Sequence, residues 1–288
     1  MTSAVPAVRV RGLVKRYGGK TVVDGIDLDV APGECVALLG PNGAGKTTTV
    51  EILEGFRTRD GGEVSVLGVD PADGDRAWRS RVGVVAQDDL GAVDLTVAEM
   101  LRHFAVYHRD PRPLGELAVM VGLQEQVNTR VTKLSGGQRR RLDVALGVQG
   151  RPEVLFLDEP TTGFDPAARR QFWSLLERLQ DEQGTTVLLT THYLDEAAHL
   201  ADRVAVIARG ALVEVAPPDA LGGRLELGAT VSWHDADGTP HERRTAAPTD
   251  FLRRLLADHP GEVDALSVTR PSLEDVYLTL IDDEDGAA

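Results

Sequence analysis

The run Gly40-Pro41-Asn42-Gly43-Ala44-Gly45-Lys46-Thr47-Thr48 constrains this chain more than any other stretch. It follows five apolar residues, Cys35-Val36-Ala37-Leu38-Leu39, and precedes Thr49-Val50-Glu51-Ile52-Leu53. That succession predicts strand, glycine-rich loop and helix, with the spacing G-x-x-x-x-G-K-[ST] in the loop. Glycines let the backbone curl so that successive N–H groups face one anion. The helix adds the positive end of its dipole. Lys46 can set a point charge against the outer phosphates of a nucleotide, and the Thr47 hydroxyl can reach a magnesium ion.

A chain of 288 residues suffices for one large α/β domain, alone or with a small appendage. The net charge of -14 argues against a general nucleic-acid binder, and equally against anchoring to acidic lipid by charge alone. The single cysteine, Cys35, rules out a disulfide framework and reads as a small apolar core residue. No basic-then-apolar leader opens the sequence, and no apolar run approaches the roughly 20 residues of a membrane span. The expectation is a cytoplasmic protein that reaches a membrane only through a partner.

Before the loop, Val8–Val14, Thr21–Val23 and Ile26–Val30 alternate like strands, with turn signals at Gly18-Gly19 and Pro32-Gly33. Tyr17 beside that glycine pair reads as a structural aromatic or as a ring free to stack on a base. Two more short strands, Glu63–Leu67 and Val82–Ala86, lead to Gln87, which taken alone is a solvated polar residue. From Thr96 the period turns helical, with Thr96-Val97-Ala98-Glu99 as a capping box. Leu134-Ser135-Gly136-Gly137-Gln138 then opens a helix carrying Arg139-Arg140-Arg141, most of which read as a solvated face. Ser135, Gly136 and Gly137 make a second anion-ready helix start without a lysine of its own, half of a site whose other half lies elsewhere.

Val154-Leu155-Phe156-Leu157 is the apolar run of a buried parallel strand, and it ends in Asp158-Glu159. Ligands of α/β sheets bind beyond the carboxyl ends of the strands. Asp158 is therefore placed for magnesium, and Glu159 to polarise an attacking water. The buried strand Thr185–Thr191 brings His192 to the same edge, where it can donate to a γ-phosphate. A hairpin about Arg209-Gly210 follows. After Pro217-Pro218 the texture changes to a β-β-α-β-α pattern with an acidic end, Asp282–Asp285.

The order of these motifs resembles the ATP-binding cassette (ABC) family, over about Val8 to Pro217. The resemblance implies an α/β P-loop NTPase core with an N-terminal antiparallel β subdomain, a helical insertion and a small C-terminal α+β appendage. It implies a cassette at 1–217, with its helical part at about 92–150, and an accessory domain at 218–288. It further implies ATP and magnesium as ligands. Gly40 to Thr48 would be Walker A, Gln87 the glutamine loop, Leu134 to Gln138 the signature, and Asp158 the end of Walker B. Glu159 would be the catalytic base, Asp165 part of the D-loop, and His192 the switch histidine. Thr47, Gln87 and Asp158 would hold the metal, and Tyr17 would stack on adenine. Two chains would pack head to tail, with Ser135, Gly136, Gly137 and Gln138 of one meeting the γ-phosphate held by the other. Phe164 stands where the family often has leucine.

The ending Arg270–Leu280 and the run Gly136–Asp143 resemble drug-export cassettes of the daunorubicin-resistance type. There the permease is a separate polypeptide, whose coupling helix docks near residues 87–97, and the cassette sits on the inner face of the cell membrane. Export of a drug, antibiotic or other hydrophobic compound is the expectation. The alternatives are an ABC-type ATPase acting without a permease, and a module that holds ATP without hydrolysing it.

Overall fold

In a computed structural model, residues 5–86, 94–223, 228–235, 237–259 and 261–286 are described. Gln87 lies outside them. Strands β1 (Val8–Tyr17) and β2 (Lys20–Val30) pair antiparallel across Gly18-Gly19, and β4 (Gly61–Val66) pairs with the other edge of β1. Alternation does the work expected of it: Val8, Val10, Val23, Ile26, Leu28 and Val30 face inward and are buried. The two runs read from sequence as separate strands are one strand, β2, which stays paired through register shifts where the bend near Gly25 is absorbed.

The second sheet seats the site. Its strands are β3 (Cys35–Leu39), β5 (Val82–Val85), β6 (Val154–Asp158), β7 (Thr186–Thr191), β8 (Arg203–Ala208) and β9 (Ala211–Ala216), in the order β5-β6-β7-β3-β8-β9. The pairs from β5 to β8 are parallel. Covered on both faces, β3, β6 and β7 are buried along their whole length, which explains their uninterrupted apolar runs. A side chain such as Phe156, fully buried, contributes about 2 kcal/mol by leaving water. The register sets Leu39 against Thr191 and Asp158 against Thr190, so three strands end at one level.

Helix α1 (Lys46–Leu53) follows β3, and the single turn α2 (Arg76–Arg79) precedes β5. Between β5 and β6 lie α3 (Val97–Ala105), α4 (Leu114–Met120) and α5 (Gly136–Val148). Helix α6 (Pro166–Gln183) starts at an Asp165 cap and ends at Gly184 in the left-handed region, and α7 (Leu194–Leu200) follows β7. The β8–β9 turn, Arg209-Gly210, has positive φ at both residues, as a tight hairpin of matching twist requires.

The chain divides into two compact units, Met1–Val215 and Ala216–Ala288. In the second, β10 (Ala229–His234) lies between β11 (Pro240–Thr245) and β12 (Asp264–Thr269), all antiparallel, with α8 (Pro248–Asp258) and α9 (Leu273–Gly286). Trp233 stacks on His241 with ring centroids 5.2 Å apart and meets Phe251 of α8 at 5.5 Å. No described helix is long and apolar enough to cross a membrane.

Candidate functional site

The loop between β3 and α1 is shaped by close backbone approaches. A Cβ at Gly40 would stand 2.2 Å from the Ile207 carbonyl oxygen, and one at Gly45, where φ is +102°, would stand 2.6 Å from that of Val22. Lys46 is only 6% exposed, and its Nζ donates to Gly40 O at 2.7 Å and Pro41 O at 3.1 Å. The ammonium is thereby held over the concave side of the loop by bonds to carbonyls. Burial pushes its pKa down, while Glu159 and Asp158 pull it up.

The facing wall comes from the ends of β6 and β7. Asp158 is 4% exposed, and its Oδ1 accepts from the Thr190 hydroxyl. The same Thr190 Oγ1 accepts from the Glu159 amide at 3.0 Å. Glu159 itself takes φ of +45°, a left-handed conformation that costs a non-glycine residue about 1–3 kcal/mol. That turn aims Glu159 Oε1 at His192 Nδ1, 3.3 Å away, while Thr162 Oγ1 donates to Oε2 at 3.4 Å. The His192 ring packs on Tyr193 with centroids 4.1 Å apart. One cavity of about 350 Å³ brings Asn42, Gly43, Lys46 and Thr47 together with Glu159 and His192.

The residues at this edge suit a magnesium ion of the kind that brings its own phosphates and waters. Such an ion takes one or two protein oxygens. The buried Asp158 carboxylate and the Thr47 hydroxyl are donors of that kind, and the described residues hold no cluster of three or more His, Cys, Asp or Glu that would make a protein-only cage.

Other expected residues lie apart from that cavity. Ser135 and Gln138 cap each other at the start of α5: Gln138 N donates to Ser135 Oγ at 3.2 Å, and Ser135 N donates to Gln138 Oε1 at 3.0 Å. Gly136 and Gly137 have negative φ, and a Cβ on either would meet nothing within 4 Å among the described residues. Asp165 spends one oxygen on capping α6, accepting from Ala167 N at 2.9 Å and Ala168 N at 2.8 Å. Tyr17 has the Lys15 ammonium 5.3 Å and the Arg57 guanidinium 5.4 Å from its ring centre.

Three ionisable side chains around the site escaped the sequence reading. Glu54, at the end of α1, is pushed up to about 7, by burial first and then by Asp158 and Glu51. Glu196, fully buried in α7, is also raised by burial, against the pull of Thr191, Thr161 and Trp173. Arg140 of α5 turns into the protein and donates to Pro160 O and Asp158 O. For Glu196, two residues past Leu194 in a helix whose next apolar partners are Ala197 and Leu200, its position on the inward face was the available signal.

Comparison with known proteins supplies the family. Residues 23–162 match the ABC transporter family model. The daunorubicin resistance ATP-binding protein DrrA2 of Streptomyces coeruleorubidus is 41% identical, over 95% of this chain and 94% of its own length. The Nod factor export ATP-binding protein I of Burkholderia orbicola (strain AU 1054) is 43% identical, over 96% and 97%. Among solved structures, the ATP binding subunit of an ABC transporter superposes with a TM-score of 0.69 at 25% identity, covering 75% of this chain and 91% of its own. A dimeric bacterial ABC transporter cassette shares the fold, with a TM-score of 0.66 over 73% of this chain and 98% of its own. With the phosphate loop facing the ends of β6 and β7, and with relatives aligned over nearly its full length, the chain belongs to the ABC transporter ATP-binding protein family.

Proposed function

We propose that this chain is the ATP-hydrolysing subunit of an exporter, driving a separate membrane permease through ATP-dependent head-to-tail pairing of two copies. The observation that carries the reading is the 3.3 Å approach of His192 Nδ1 to Glu159 Oε1 in the cavity that also holds Lys46 and Thr47. A module that merely stored ATP would not need a carboxylate in a costly left-handed turn aimed at that point.

In this reading the loop amides, the start of α1 and Lys46 bind the phosphates, Lys46 exchanging its carbonyl partners for phosphate oxygens. Glu159 orients the attacking water and takes its proton as the oxygen bonds to the γ-phosphorus. The bond from that phosphorus to the β,γ-bridging oxygen breaks, and ADP and inorganic phosphate leave. His192 fixes Glu159 through Nδ1 and donates toward the γ-phosphate. Magnesium, when bound, neutralises charge on the β and γ oxygens, and Thr47 and Asp158 would hold it, with Gln87 assigned to the same ion by resemblance alone.

The open space at Gly136 and Gly137 supports a shared site. Among the described residues nothing inside the chain demands glycine at either position, whereas a phosphate arriving from a second copy would. The relatives named for daunorubicin resistance and Nod factor export support export, with a drug, antibiotic or other hydrophobic compound as the cargo. Glu159→Gln tests the reading. We expect ATP to bind and a stable nucleotide-bound dimer to accumulate, with hydrolysis lowered at least about 100-fold. A purified variant turning over ATP at the wild-type rate would remove Glu159 from its role.

A further inference from the structure

The guanidinium of Arg140 leaves the solvated face on which its neighbours in sequence were placed. Its Nε donates to Pro160 O at 3.1 Å, its Nη2 to Asp158 O at 2.5 Å and its Nη1 to Ala86 O. Ala86 follows β5, Asp158 ends β6, and Pro160 lies just beyond Glu159. One side chain of α5 therefore closes on the carboxyl ends of two adjacent parallel strands. It holds the carbonyls of the two residues that flank Glu159, and Glu159 is itself in the left-handed conformation.

Chemistry explains why arginine suits this place. Three carbonyl oxygens that diverge from one point need a planar fork of several fixed donors. Lysine offers a point charge without that fixed geometry, and glutamine has only two N–H donors. Drawing the guanidinium inward lowers its pKa through desolvation, and the charges of Asp143, Asp158, Glu159 and Glu196 oppose that cost only in part.

We propose that Arg140 is a positioning residue for hydrolysis, holding the strained turn at Glu159 and tying it to the helix that begins at Ser135. The proposal rests on the ATPase reading above. Through this contact the helix offered to the partner's nucleotide and the strand carrying this chain's own general base become one mechanical piece. Loss of the clamp lets Glu159 relax toward an ordinary conformation and swing away from its line to His192. The phosphate loop keeps its own contacts, because none of them involves Arg140.

The test uses the full-length protein with Arg140→Lys, Arg140→Gln and Arg140→Ala. Steady-state ATP turnover and the affinity for a fluorescent ATP analogue without magnesium are measured for each. We expect kcat to fall at least about tenfold for Gln and Ala, with KM and analogue affinity within about threefold of wild type. Arg140→Lys, which keeps charge and bulk, should fall at least about threefold at unchanged thermal stability. Millimolar guanidinium, but not methylammonium at the same ionic strength, should restore part of the activity of Arg140→Ala. Turnover of Arg140→Ala within about twofold of wild type would overturn the proposal. So would a loss expressed in KM, or a stability loss without guanidinium recovery, since either marks a scaffold residue. Should Arg140→Ala not fold, a fully active Arg140→Lys would overturn the proposal by itself. A wild-type protein that binds ATP without hydrolysing it would instead bring down the ATPase reading, and this inference with it.

Discussion

Glu54 shows how a single side chain can tie stability to pH at this site. Its folded pKa of about 7 lies above the ordinary value of 4.5, because burial and the nearby Asp158 and Glu51 disfavour its charge. Below pH 4.5 the carboxyl is protonated folded or unfolded and contributes nothing. Between 4.5 and about 7 the unfolded chain releases the proton while the folded one keeps it, so stability falls as pH rises. Above about 7 the folded protein carries the full penalty of a buried charge. Glu54→Gln removes that penalty at no cost in shape. The variant should melt several degrees above wild type at pH 8.5 and with it at pH 4. Equal melting temperatures at both pH values would mean that Glu54 is not held in a repulsive, desolvated place. Burial acts with opposite sign on Lys46, lowering its pKa, while Glu159 and Asp158 pull it up.

At the scale of the element, helix α3 illustrates what local chemistry secures. Thr96 Oγ1 accepts from Glu99 N at 3.2 Å, and Glu99 Oε2 accepts from Thr96 N at 2.8 Å, which satisfies two amides that the first turn leaves without partners. The exchange also holds the Glu99 carboxyl below its usual range. Thr96→Ala should therefore cost about 1 kcal/mol, read as a lower urea midpoint at neutral pH, and the deficit should shrink in acid, as pH falls below 4.5 and Glu99 protonates. A midpoint unchanged at neutral pH would assign the stability of α3 to packing of Val97, Met100 and Leu101 alone. Such caps are visible in sequence because both partners lie within four residues, and the buried strands are visible because burial on both faces demands unbroken apolar runs. The four-residue turn α2 leaves too little period to see. The inward turn of Arg140 was illegible for another reason. Arg139-Arg140-Arg141 reads alike whether a side chain meets water or the carbonyl ends of strands about 20 residues ahead and 50 behind. Phosphate-loop spacing is local and legible; the left-handed turn at Glu159, which aims the carboxylate, is written in no neighbour of it.

For the whole molecule, the two anion-ready helix starts make the decisive point. The start of α1 faces Glu159 and His192 within one chain, while the start of α5 opens onto space that none of the described residues of its own chain fills at Gly136 and Gly137. If the second start completes the first one of another copy, function belongs to the pair, and defects in the two halves should complement. Lys46→Ala leaves a sound signature beside an empty phosphate loop. Ser135→Arg leaves a sound loop, able to bind ATP in the monomer, beside a blocked signature. Each variant alone should hydrolyse essentially no ATP. Random pairing of equal amounts makes half of the dimers mixed, and each mixed head-to-tail dimer has one composite site with both faults and one with neither. Mixing two inactive preparations should thus restore about a quarter of wild-type turnover, the fraction set by pairing statistics. A signature that served its own chain's nucleotide would give a faulty site in every pairing, and the mixture would stay as inactive as its components.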